Sequence, residues 1–147
     1  FLVDHVLPEV PVRQWVLSLP YRVRVLCAFD ADVCALVRRL LVRAVSGHYE
    51  RAARRAGVVN PRAGAVAFVQ RFDSGLRVNL HFHVLWLDGV YGWEAGKGPA
   101  RFAAAAEVTD VEVGKVVRVI RWWELSHMSM GAVFPFSPCG RRCPKGG

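Results

Sequence analysis

The segment Val69–Tyr91, V-Q-R-F-D-S-G-L-R-V-N-L-H-F-H-V-L-W-L-D-G-V-Y, decides how this chain folds. Ala65 to Phe72 and Val78 to Leu87 are rich in β-branched and aromatic residues, and Asp73-Ser74-Gly75 lies between them. That arrangement predicts two strands joined as a hairpin. Side chains alternate across a strand, so His81 and His83 are expected on one face and Phe82 on the other. Two imidazoles side by side on a rigid strand can hold one divalent ion at little entropic cost. The plainer reading of the same pattern is a pair of ordinary strand histidines.

Working outward toward the N-terminus, Gln14 to Leu19 (Q-W-V-L-S-L) alternates and predicts a first strand, entered through an extended stretch with Pro8 and Pro11. Asp30 and Asp32 offer N-caps for a long helix to about Ala56. Val33, Leu36, Val37, Leu40, Leu41, Ala44 and Val45 recur along it at helical spacing, and Gly57 suits its stop. Asn60-Pro61 reads as a break. Toward the C-terminus, Gly89 to Pro99 reads as a loop because it holds four glycines. Arg101 to Val108 is weakly extended, although its alanines also suit a helix, and Thr109 or Asp110 caps a second helix reaching about Trp123. From Ser126 the sequence is dense in Gly and Pro, so a domain over 1–125 and an irregular tail over 126–147 are expected.

The order strand, long helix, hairpin, helix predicts an α+β fold with an antiparallel sheet and helices packed on it. The expected sheet core is Val16, Leu17, Leu19, Val66, Phe68, Val84, Leu85 and Leu87. The expected helix face against it is Val33, Leu36, Val37, Leu40 and Leu41.

A chain of 147 residues suffices for one domain with a core. Net charge is +8, and 17 of the 20 basic residues are arginine. Arg38, Arg39, Arg43, Arg51, Arg54, Arg55 and Arg62 fall in one segment whose only acid is Glu50. Such a block attracts polyanions and is an electrostatic footprint of nucleic-acid binding; the alternative is a solvated helix face. Arginines interrupt every apolar stretch and no secretory signal pattern is visible, so no membrane contact and a cytoplasmic location are expected. Cys27, Cys34, Cys139 and Cys143 do not resemble a disulfide framework, and Cys139-Gly-Arg-Arg-Cys143 is at most half a zinc site.

With these motifs in view, Val69–Tyr91 resembles the signature of bacterial rolling-circle insertion-sequence transposases. Those enzymes belong to the HUH nuclease class, named for histidine, hydrophobe, histidine. The entry H-V-L-P-E-V-P-V-R-Q-W-V-L-S-L-P-Y-R-V-R, His5 to Arg24, is similar to the start of that family's catalytic domain. The resemblance runs from about residue 3 to about residue 120.

The resemblance implies an HUH nuclease-like fold and DNA transposition. A metal held by His81 and His83 would polarise a scissile phosphate of single-stranded DNA at transposon ends. A tyrosine would attack the phosphorus and form a covalent phosphotyrosine link. Gln70, in the neighbouring strand and in the family's Q-R-F segment, is the implied third ligand, with a surface amide at a ladder end as the alternative. The implied cofactor is Mg²⁺ or Mn²⁺. Asp73 and Asp88, near the hairpin's ends, fit turn residues better than ligands.

The sequence also departs from the family. Its nucleophilic tyrosines form a spaced pair on a helix well after the histidines, whereas the tyrosines here are Tyr21, Tyr49 and Tyr91. No nucleophile is assigned, and all three are expected to pack or to lie at the surface. The family's N-terminal cysteine-rich zinc module has no counterpart, and the resemblance fades from about Trp122. The expectation is a partial, inactive transposase domain or a relic of one. Two other classes compete. One is a non-catalytic DNA-binding module using the arginine block and exposed aromatics such as Trp86 or Trp93. The other is a metal hydrolase unrelated to transposition, built on the same two histidines.

Overall fold

The computed structural model describes residues 8–94 and 97–128. Its elements run β1 (Val12–Ser18), α1 (Tyr21–Phe29), α2 (Ala31–Arg55), β2 (Val59–Arg62), β3 (Ala65–Phe72), β4 (Val78–Leu87), β5 (Gly89–Glu94), β6 (Lys97–Ala104) and α3 (Asp110–Met128). The fold is α+β, but the expected single sheet is two antiparallel three-stranded sheets, β1-β4-β3 and β2-β5-β6. Helix α3 runs past the boundary expected at residue 126, while Cys139, Cys143 and the rest of the expected tail from residue 129 lie outside the described residues.

Local chemistry accounts for the helix ends. At the start of α2, Asp30 Oδ1 accepts from the amides of Asp32 and Val33 at 2.9 and 3.1 Å. At its end, Gly57 takes φ +87°, its amide donates to Arg54 O, and the Val58 amide donates to Ala53 O. This is a Schellman closure, which needs a left-handed residue best supplied by glycine. Thr109 and Glu112 form a reciprocal capping box on α3: the Glu112 carboxylate accepts from the Thr109 amide, and Thr109 Oγ1 accepts from the Glu112 amide.

Two expectations need correction, and one element adds to those expected. Tyr21–Phe29, for which the sequence offers no reading, folds as helix α1, whose Val23 and Cys27 are one turn apart and buried. Val59–Arg62 is strand β2 rather than a break. Among the described residues it pairs with β5 alone, an edge position that tolerates Pro61, and Asn60 at φ 49° lies where the register shifts. Gly89 to Pro99 is mostly strand: β5 and β6 pair antiparallel from Gly89↔Ala104 to Glu94↔Lys97. Gly89 and Gly92 serve close approach. A Cβ at Gly89 would strike the Ala103 carbonyl and the Phe102 ring, and one at Gly92 would strike the Val58 side chain.

The core sits on one face of β4. Leu80, Phe82, Val84 and Trp86 are buried there with Val37, Leu41, Ala44, Val45 and Tyr49 of α2, Val23 and Cys27 of α1, and Val116 and Ile120 of α3. Trp86 is therefore no exposed stacking platform, whereas Trp93 does reach solvent. Val16 and Phe68 are 53% and 44% exposed, not core, because both pair with His83 and share its face. The inward residues of β1 are Trp15 and Leu17, opposite Val84 and Phe82.

A polar clamp closes one end of this core. Arg13 Nε and Nη2 donate to the two carboxylate oxygens of Asp88 at 2.9 and 2.7 Å. The Tyr49 hydroxyl donates to Asp88 Oδ1 at 3.0 Å and accepts from Trp15 Nε1 at 3.4 Å. Arg13, then Tyr49, hold the Asp88 carboxyl below its ordinary range against the opposing effect of burial. Burial pushes the Tyr49 hydroxyl up to about 12. Asp88 thus ties β1 and α2 to the β4–β5 junction, a larger role than the turn residue expected. Asp73 does act as a turn residue: its Oδ1 accepts from the amides of Gly75 and Arg77.

Candidate metal centre

The ladder registers define the face of the first sheet that points away from the helices. Val16, His83 and Phe68 form one rung across β1, β4 and β3. Ser18, His81 and Gln70 form the next, and Gln14, Leu85 and Val66 lie on the other side of the histidine rung. His81 and His83 therefore share a face, with ring centroids 4.7 Å apart, and Gln70 stands directly across from His81.

The two rings are held differently. His81 Nδ1 lies 2.7 Å from the backbone oxygen of Asn79. A carbonyl only accepts, so this nitrogen carries the proton and His81 Nε2 keeps a free lone pair. Asn79 is anchored in turn: its Oδ1 accepts from Arg24 Nη1 at 2.7 Å, while Arg24 Nη2 donates to Leu19 O at 3.1 Å. His83 Nδ1 meets the side-chain amide of Gln14 at 2.7 Å. His83 Nε2 is buried and has no hydrogen-bond partner among the described residues. An orphaned buried polar atom costs about 1–3 kcal/mol.

These residues fit a divalent ion in part. Two imidazoles bound to one ion through nitrogens at about 2.1 Å bring their ring centroids to roughly 5 Å, the size of the separation seen here. An Nδ1–H on a backbone carbonyl, as in His81, is the usual outer contact of a metal-ligating histidine. The third donor is less developed. Gln70 Nε2 donates to Phe72 O at 3.2 Å, and the three rungs hold no carboxylate. Among the described residues no group of three or more His, Cys, Asp or Glu is placed to hold a metal.

The arginine block lies elsewhere. Arg38, Arg39, Arg43, Arg51, Arg54 and Arg55 are exposed on α2, which covers the opposite face of the sheet, and Arg62 is exposed on β2. At about 100° per residue, Arg39, Arg43 and Arg54 fall within roughly 60° of one another around the helix. Arg54 is partly neutralised by Glu50 at 3.4 Å. A groove between α2 and α3 is lined by Leu40, Arg43, Ala44, Arg51 and Val119.

The tyrosines divide in the same way. Tyr49 is buried in the Asp88 clamp, Tyr91 packs edge-on against Phe102 in the second sheet, and Tyr21 is exposed at the start of α1. No helix among the described residues is long and apolar enough to cross a membrane. Comparison with protein-family models, curated proteins and solved structures gives no match.

Sequence reasoning missed Gln14 and Asn79, the residues that hold the two rings. The signal for Gln14 lay in the alternation of Q-W-V-L-S: once Trp15 and Leu17 are inward, Gln14 must share the face of the histidines. Asn79 acts through its backbone oxygen, which no side-chain pattern advertises.

Proposed function

We propose that this chain is the metal-binding part of an HUH-type DNA-processing domain, of the kind used in rolling-circle DNA transposition. His81 and His83 are its ligands, Gln70 its third donor, and Mg²⁺ or Mn²⁺ its ion. The observation that carries this reading is the pair of imidazoles side by side on the open face of the central strand, with the Nε2 lone pair of His81 free. When bound, the ion would supply Lewis-acid polarisation of a phosphate oxygen. The chain's own residues bind and orient: β4 fixes the imidazole spacing, and Phe68 and Val16 flank His83 with apolar surface against which a base can lie. No tyrosine is assigned as nucleophile, so the chain is proposed to bind single-stranded DNA rather than to nick it alone.

A second reading, a DNA-binding module without chemistry, is favoured by one observation. The exposed arginines of α2 face away from the histidines, so a polyanion can bind there with no contribution from the metal site.

Anisotropy of a fluorescein-labelled single-stranded oligonucleotide, titrated with and without Mn²⁺, separates the two. Binding should tighten with Mn²⁺, and this gain should vanish in His81→Ala/His83→Ala. Equal affinity with and without Mn²⁺, falling steeply with salt, would leave only the second reading. A covalent adduct stable in denaturing detergent would show that a tyrosine of this chain does act as nucleophile.

A further inference from the structure

We propose that Gln14 is a positioning residue for His83: the orientation of its side-chain amide selects which ring nitrogen carries the proton, and so whether Nε2 can take an ion. The inference rests on the metal reading above for its purpose, though not for its geometry. Gln14 and His83 stand two residues out of register on neighbouring strands of one face, and the amide reaches His83 Nδ1 at 2.7 Å. A primary amide presents a donor on one side and an acceptor on the other.

With Gln14 Nε2 toward the ring, Nδ1 accepts, the proton sits on Nε2, and Nε2 cannot ligate. Gln14 Nε2 is the amide atom placed against Nδ1, which matches this arrangement, and His83 Nε2 then has no acceptor among the described residues. Rotating the amide by a half turn puts Oε1 toward the ring. Nδ1 then carries the proton and donates it, and Nε2 presents its lone pair. The proton moves from Nε2 to Nδ1 of the same neutral ring, so none is gained or lost overall. His81 needs no such switch, because the Asn79 carbonyl can only accept and fixes its proton on Nδ1. The pair is thus asymmetric: one ligand is permanently set, and the other is set by position 14. Outer hydrogen-bond partners of metal-bound histidines typically alter affinity by about 10–100-fold.

The test uses the full chain labelled with ¹⁵N, at a pH where both imidazoles are neutral, with Zn²⁺ as a diamagnetic probe. Imidazole ¹⁵N shifts report which nitrogen is protonated, without needing activity or bound metal. The metal-free chain should show His83 protonated on Nε2. Gln14→Glu, whose carboxylate only accepts, should move the proton to Nδ1 and tighten Zn²⁺ at least about tenfold. Gln14→Leu should weaken Zn²⁺, and His81 should stay protonated on Nδ1 in all three. Because Gln14 is exposed, backbone amide spectra should confirm that both variants fold. If the His83 shifts follow position 14 while Zn²⁺ fails to bind, the positioning role stands and the metal reading falls. If the His83 tautomer is the same in all three proteins, the positioning role is overturned, whatever the Zn²⁺ affinity.

Discussion

The two faces of β4 contrast residue by residue. Leu80, Phe82, Val84 and Trp86 are wholly buried under the helices, while the intervening Asn79, His81, His83 and Leu85 lie on the face that no helix covers among the described residues. A single strand thus carries the core on one side and the candidate chemistry on the other. The difference shows why a histidine pair can persist here: the apolar side fixes the backbone, so the polar side is free of packing duties. Stability should respond to one face and ligand binding to the other.

The largest expected effect comes from the covered side. Phe82→Ala should lower unfolding free energy by about 3–5 kcal/mol in a urea titration, because the ring is fully enclosed. On the open side, His81→Ala/His83→Ala should change stability by less than about 1 kcal/mol while removing ion binding. A large loss in that double variant would break the comparison.

The clamp at Asp88 comes next. Tyr49→Phe removes the hydroxyl shared by Asp88 and Trp15 and should cost about 1–2 kcal/mol. Asp88 has its carboxyl held low in the fold, so it binds protons less readily folded than unfolded. Its contribution is present above the ordinary carboxyl value of 3.8 and is lost as pH falls through the folded value. Asp88→Asn should lower stability near neutrality and flatten the acid limb of thermal melts.

His48 should give a smaller effect at a different pH. It lies beside the Trp15 and Tyr49 rings, with Glu112 and Lys115 of α3 and Arg51 and Arg55 of α2 around it. Burial, with help from the three cations and against Glu112, holds its pKa below the ordinary 6.5. The unfolded chain therefore takes up a proton first as pH falls through 6.5, and stability should decline there. His48→Gln should remove this step from melts recorded across that range. Smallest of all, Val16→Thr and Phe68→Thr on the open face should each shift stability by no more than about 0.5 kcal/mol. A larger loss would mean that this face is covered.

Much of this organisation was legible in the sequence. Asp30 and Gly57 bracket α2 as N-cap and left-handed stop, and Thr109, one of the two caps the sequence offers, opens α3, because capping is local chemistry. The β3–β4 hairpin and the shared face of His81 and His83 follow from period-two alternation. What stayed hidden depends on tertiary context. The glycines of β5 read as a loop, yet Gly89 and Gly92 are small because other groups press against them. The phase of β1 is open in the sequence because Val16 and Leu17 are equally apolar, and only pairing with β4 shows that Leu17 points inward and Val16 does not. Gln14 and Asn79 became visible once the register placed them beside the imidazoles.

The most direct measurement is calorimetric titration of the chain with Mn²⁺, beside the His81→Ala/His83→Ala variant. Saturable binding of one ion per chain, absent from the variant, is the result expected if the open face of β4 is a metal site. No binding by the unmodified chain, or binding that survives the double substitution, would contradict it.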